Sequence, residues 1–157
     1  MNISYCERWW QSRLEPLGTL TESKAEELHD ARKPYVAIIG SPDSPRFVVD
    51  IAAPWISADF FDNKHRRYLS YTFRETNECR LFLSEAIHWQ FDGKNSEAIS
   101  KKIFKFEQNG FVTVSEASPP SDAGTQFDLI AATDENWAQY PDFGKYDHLC
   151  VAERAST

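Results

Sequence analysis

Glycine and cysteine are both scarce in this chain, and each shortage excludes something. Six glycines in 157 residues leave little material for a loop that wraps a phosphate in backbone amides, and neither G-x-x-x-x-G-K-[ST] nor G-x-G-x-x-G occurs. There is no G-x-S-x-G nucleophile elbow and no H-E-x-x-H metal motif. The three cysteines, Cys6, Cys79 and Cys150, are widely spaced and odd in number, and no C-x-x-C or Cys/His pairing suggests zinc. That arithmetic argues against a disulfide framework and a zinc site, and for reduced thiols buried in the core. No apolar run approaches the ~20 residues of a membrane-spanning helix. Residues 1–20 lack the basic start and apolar core of a secretory leader. A cytoplasmic protein without a cofactor or metal is the expectation.

Basic residues are missing from one region only. Residues 1–105 carry 15 acidic and 15 basic side chains, whereas residues 106–157 carry nine acids against Lys145 and Arg154, so the whole net charge of -7 sits in the last third. Such asymmetry repels nucleic acid and anionic lipid and steers basic partners inward. A hydrophobic fraction of 41 % with 26 % charged residues is ordinary for a folded chain, and the length fits one domain spanning 1–157.

Periodicity divides the chain. Ile3, Cys6, Trp9, Trp10 and Leu14 recur at three-to-four-residue spacing up to Pro16 and Gly18, and Ser23-Lys-Ala-Glu26 has the form of a capping box, so two N-terminal helices are predicted. The second would end near Ala31, before Pro34. From residue 35 the period becomes two. Strands are predicted at 35–39, 46–51, 55–61, 67–75 and 80–91, in an antiparallel meander with one wet face. Within 80–91, Leu81, Leu83, Ile87, Trp89 and Phe91 are placed on one face, with His88 and Gln90 on the other. Ile99, Ile103, Phe104 and Phe106 predict one long helix, Ser96–Gln108, laid on the sheet and stopped by Gly110. Strands at 111–116, 127–133 and 148–153, with a Pro119–Gly124 loop, complete the pattern. The fold class predicted is therefore α+β.

Candidates for chemistry are few. His29 lies near a helix end, His65 belongs to the basic turn Lys64-His-Arg-Arg67, and the parity of its strand separates His88 from Glu85. A histidine–carboxylate acid/base pair needs hydrogen-bond reach, so that pair is disfavoured. Asp50, Asp59 and Asp62 match no cation-binding loop and read as solvated turn carboxylates. A chain with none of these motifs is expected to bind rather than catalyse. The basic stretches Lys64–Arg67 and Lys101–Lys105 would be the route to nucleic acid, which the acidic total opposes.

One segment stands apart. Residues 133–147 interleave Asp134, Glu135, Asp142 and Asp147 with Trp137, Tyr140, Phe143 and Tyr146, and Pro141 and Gly144 make much of it loop. Aromatic anchors among carboxylates are what a tight interface with a basic protein uses. The competing reading is a plug whose rings seal the sheet while the acids face water. With this segment, the profile of a small, acidic, aromatic-rich α+β domain resembles the immunity proteins that protect bacteria from toxins of contact-dependent or type VI systems. The resemblance is one of overall type and carries no residue by position. It implies a cognate toxin domain, often a nuclease, as the basic partner. The alternative from another class is a ligand-binding or enzymatic domain. Its 22 aromatic residues would line a pocket between the sheet and the 96–108 helix, with Tyr71, His88 and Gln90 as polar groups.

Overall fold

Alternation of period two governs far more of the chain than its most legible stretch. The computed structural model describes residues 1–118 and 124–153. Its strands are β1 (Ile3–Trp10), β2 (Glu15–Leu20), β3 (Tyr35–Ser41), β4 (Ser44–Ala52), β5 (Trp55–Phe61), β6 (Arg67–Glu75), β7 (Arg80–Phe91), β8 (Ala98–Phe106), β9 (Phe111–Ala117), β10 (Gly124–Ile130) and β11 (Trp137–Gln139). All eleven belong to one antiparallel sheet in the order β10-β9-β8-β7-β6-β5-β4-β3-β1-β2, with β11 attached to β7. One α-helix, α1 (Glu22–Asp30), joins β2 to β3. The protein is therefore mostly β, which overturns the α+β architecture with two N-terminal helices and one long helix. No helix among the described residues is long and apolar enough to cross a membrane.

Each correction has a local cause. The first 20 residues form the β1–β2 hairpin, and β1 also pairs with β3, so its backbone is satisfied on both sides. Trp9 and Trp10 consequently diverge: Trp9 packs edge-on to Phe61 at 6.3 Å, while Trp10 is exposed beneath the Arg13 guanidinium. The helix that follows begins two residues earlier than the capping box predicted, because the Thr21 hydroxyl accepts from the Lys24 amide at 3.1 Å. It ends where expected, at Asp30. The predicted 96–108 helix is strand β8, paired with β7 and β9 along its length. Its sequence satisfies both periods, and two cross-strand partners decide between them. Phe104 and Phe106 then stack on one face with their planes 7° apart. The last predicted strand, 148–153, is replaced by a 3-10 turn at Asp147–Leu149. Residues 119–123 of the predicted Pro119–Gly124 loop lie outside the described residues.

The inner face of the sheet, covered by α1 and the C-terminal segment, carries the main core. Tyr35, Tyr71, Phe73, Leu81 and Leu83 are fully buried there, and Ala25 and Leu28 of α1 pack against it. A smaller cluster, Cys6, Val36, Ile38, Val48 and Phe61, occupies the outer face beneath Trp9 and Leu14.

Strand β7 holds the arrangement together. On one side it pairs with β6 across one bulge; on the other, residues 80–82 pair with β11 and residues 85–91 pair with β8. At the fork Ser84 is an extra residue: Thr72 faces Glu85 while Phe73 faces Leu83. A bulge of this kind exchanges the two faces of a strand. Leu81 and Leu83 are therefore continued on the inner face by Ala86 and His88, not by Ile87 and Trp89 as simple parity predicted. The fork interrupts the ladder, and Asn136, only 3 % exposed, repairs it by donating its side-chain amide to the Leu83 carbonyl at 3.0 Å.

The three cysteines are free, but they are not equivalent as expected. Cys6 is buried in the outer cluster, and burial pushes its thiol up to about 11. Cys79 is exposed, and Cys150 is partly buried.

Two measurements follow. Asn136→Leu leaves the Leu83 carbonyl buried without its partner and should cost about 1–3 kcal/mol in chemical denaturation. A cost near zero would mean that the fork does not need the amide. Thiol titration of the native protein should show Cys79 reacting promptly and Cys6 reacting only on unfolding, and Cys79→Ser should abolish the fast phase.

Candidate functional site

The acidic-aromatic segment is a strap laid across the inner face. Its start is fixed by the Ala131 amide on the Gly110 carbonyl at 2.8 Å. A 3-10 turn at Asp134–Asn136 brings in β11, and the Tyr140 amide continues the attachment to the Cys79 carbonyl at 2.8 Å. Pro141 and Gly144, the latter at φ 81°, turn the chain through residues 142–145. The strap finishes in the Asp147–Leu149 turn, and the His148 Nε2 meets the Gln139 carbonyl at 2.9 Å.

Its rings are distributed by depth. Tyr146 is 1 % exposed, with its hydroxyl 2.9 Å from that of Tyr35. The Tyr35 hydroxyl in turn lies 2.7 Å from Nδ1 of His29 on α1. Phe143 stacks on Tyr5 at 5.1 Å and 21°, and sits edge-on to His29. Tyr140 lies under the Arg32 guanidinium at 3.9 Å, and Arg32 is itself clamped by both carboxylate oxygens of Glu75 at 2.8 Å. Trp137 packs against Phe82 at 5.0 Å with Arg80 above its ring. Four aromatic residues that alternate with acids in sequence thus become the roots of the strap.

The acids remain outside. Asp134, Glu135, Asp142 and Asp147 are all exposed. Beside them lies a cavity of about 470 Å³ lined by Trp137, Gln139, Tyr140, Asp142, Lys145 and His148. The eight sequence-predicted residues are therefore one contiguous element with two sides: Tyr146 belongs wholly to packing, Trp137, Tyr140 and Phe143 are partly buried, and the four carboxylates face water. Sequence reasoning missed Arg32, Tyr35 and the role of His29, which fix the strap from distant positions, and Asn136, which fixes it from within. Arg32 and Cys79 carry positive φ values of 58° and 59°, which no local pattern announces.

Other candidates disperse. The 96–108 helix that was to close a pocket over Tyr71, His88 and Gln90 is strand β8 instead: Tyr71 is buried and donates to the Ala152 carbonyl at 2.6 Å, His88 packs on Phe104, and Gln90 accepts from Ser100. Asp62 closes its own turn and pairs with Arg66. Asp59 accepts from Ser70 and Arg67. Desolvation and the Asp59 charge push Asp50 above the usual carboxylate value. Among the described residues no three His, Cys, Asp or Glu side chains gather as a metal site. Comparison with known proteins finds no matching family model, curated protein or solved structure.

Burial holds His29 below its ordinary value; Arg32 adds to the shift, and Asp30, Asp142 and Glu26 oppose it. Burial and Lys102 shift His88 the same way. The folded chain takes up these protons less readily than the unfolded chain, whose histidines titrate near 6.5. Their contribution to stability is therefore complete above that value and is lost as pH falls through it. Urea midpoints should drop between about pH 7.5 and about pH 5, and His29→Gln with His88→Gln should flatten most of the drop. An undiminished slope in the double variant would place the titration elsewhere.

Proposed function

We propose that the protein is a non-catalytic acidic binding protein that neutralises a basic protein partner in the cytoplasm, in the way immunity proteins neutralise toxin domains. The observation that carries this reading is the two-sided strap. Its inner rings lock it to the sheet, while its outer side presents four exposed carboxylates, none of which is spent on an ion pair among the described residues. A surface already ordered before encounter loses little entropy on binding. Unpaired exposed acids supply the long-range attraction that accelerates association with a basic surface. The cavity at Trp137, Tyr140 and His148 offers a slot for an arginine or lysine side chain, with Asp142 as its counter-charge.

The reading separates rate from stability. The full chain, tagged, is co-purified from cells carrying its native operon, and association with the captured partner is followed by stopped flow over a range of salt. Asp134→Lys with Glu135→Lys should slow association about tenfold at low salt and change dissociation little, because exposed charges steer encounter and are screened within ~8–10 Å at physiological ionic strength. The melting temperature should stay within a degree or so of wild type, since neither acid supports the fold. An association rate indifferent both to salt and to this reversal would remove the strap as the interface.

A further inference from the structure

A second cavity, of about 400 Å³, opens near the outer cluster, between the β1–β2 turn, the β5–β6 turn and the adjoining ends of β7 and β8. Its chemistry is the inverse of the strap. In a chain of net charge -7, four consecutive basic residues, Lys64, His65, Arg66 and Arg67, line it together with Leu14, Trp89 and Phe91.

The two arginines are held in fixed orientations. The Arg66 guanidinium lies over Phe91 and that of Arg67 over Trp89, each 4.5 Å from the ring centroid. Arg66 is further tied by Nε to Asp62 at 2.9 Å and by Nη1 to the Gly93 and Asn95 carbonyls at 2.8 and 3.1 Å. Arg67 is tied by Nη1 to Asp59 at 3.3 Å. A guanidinium has five N–H donors, so Nη2 of Arg66 and both Nε and Nη2 of Arg67 keep donors to spare. Lys64 makes one bond, to the Gly93 carbonyl at 3.2 Å, and retains two. His65 is exposed; its backbone amide donates to the Asp62 carbonyl at 3.1 Å, and its imidazole makes no hydrogen bond or ion pair among the described residues. Its backbone sits at φ 62°, a conformation that glycine would adopt at lower cost.

Spare donors on stacked, immobilised guanidinium groups match the several acceptor oxygens of a phosphate better than the two of a carboxylate. Beside them, Leu14, Trp89 and Phe91 provide an apolar wall on which a planar ring can rest, and ring stacking of that sort is worth about 1–3 kcal/mol per base. The volume lies within the range of about 300–1,000 Å³ typical of small-molecule sites. We propose that this cavity binds a nucleotide, its phosphates on the Lys64–Arg67 donors and its base against the Leu14–Trp89–Phe91 wall. The site is separate from the strap, and neither proposal depends on the other.

The test is calorimetric titration of the full chain with ADP, inorganic pyrophosphate and adenosine. ADP should bind with a dissociation constant below about 1 mM, pyrophosphate about tenfold more weakly, and adenosine without detectable heat. Lys64→Glu with His65→Gly alters two exposed side chains and should weaken ADP at least tenfold with an unchanged melting temperature. Ser12→Glu, which places a carboxylate on the opposite wall of the cavity, should do the same without touching the basic turn. Absence of ADP binding at about 5 mM, or ADP binding that survives both variants, would overturn the site. Pyrophosphate binding as tight as ADP would overturn its assignment to a nucleotide.

Discussion

The branch point of β7 is the constraint on which the rest depends. One strand must serve β8 over its second half and β11 over its first, and between those stretches the ladder has a gap. The Ser84 bulge makes the bend, and Asn136 supplies the donor that the gap lacks. A buried amide of this kind contributes little when its bond is made and costs a great deal when it is not. Because Asn136 belongs to the turn that introduces β11, the same residue repairs the sheet and sets the position of the strap. Sheet and strap are therefore one mechanical unit at their junction.

Further along, the strap is secured by side chains of very different provenance. The Tyr146–Tyr35–His29 chain of hydrogen bonds links a C-terminal turn, a central strand and the helix. Arg32 and Glu75 clamp Tyr140 from the other side. These contacts explain how a segment with so many carboxylates can be ordered at all: apolar rings face the core and the charges are left in solvent, where they incur no desolvation cost. The division of labour between rings and acids is the physical basis for treating the outer side as a surface available to a partner.

Much of this was legible in the sequence, and the limits of legibility are instructive. Strands β5, β6 and β7 coincide with their predicted runs because alternation there is unopposed by any helical spacing. In β1 and β8 the same residues satisfy both periods: Ile99, Ile103 and Phe106 fit a helix, while Phe104 and Phe106 fit a strand. Only the neighbouring strands decide, and they lie outside any local window. Face assignment failed within β7 for a different reason, since a single extra residue inverts parity and leaves no mark in composition. The acidic-aromatic segment announced itself. Its anchor Tyr35 did not, being 111 positions from Tyr146, and distant side-chain pairing has no sequence signature in one chain.

The order of the sheet also sets which loop closures are short and which are long. Every strand pairing but two joins strands that follow each other along the chain; the exceptions are β1 with β3 and β7 with β11. Hairpins between successive strands close short loops, whereas the pairing of β11 with β7 spans β8, β9 and β10 and closes a much longer one. That longer closure carries the larger entropy cost, and the burial of Asn136, Tyr146 and Leu149 is what offsets it and keeps the strap docked.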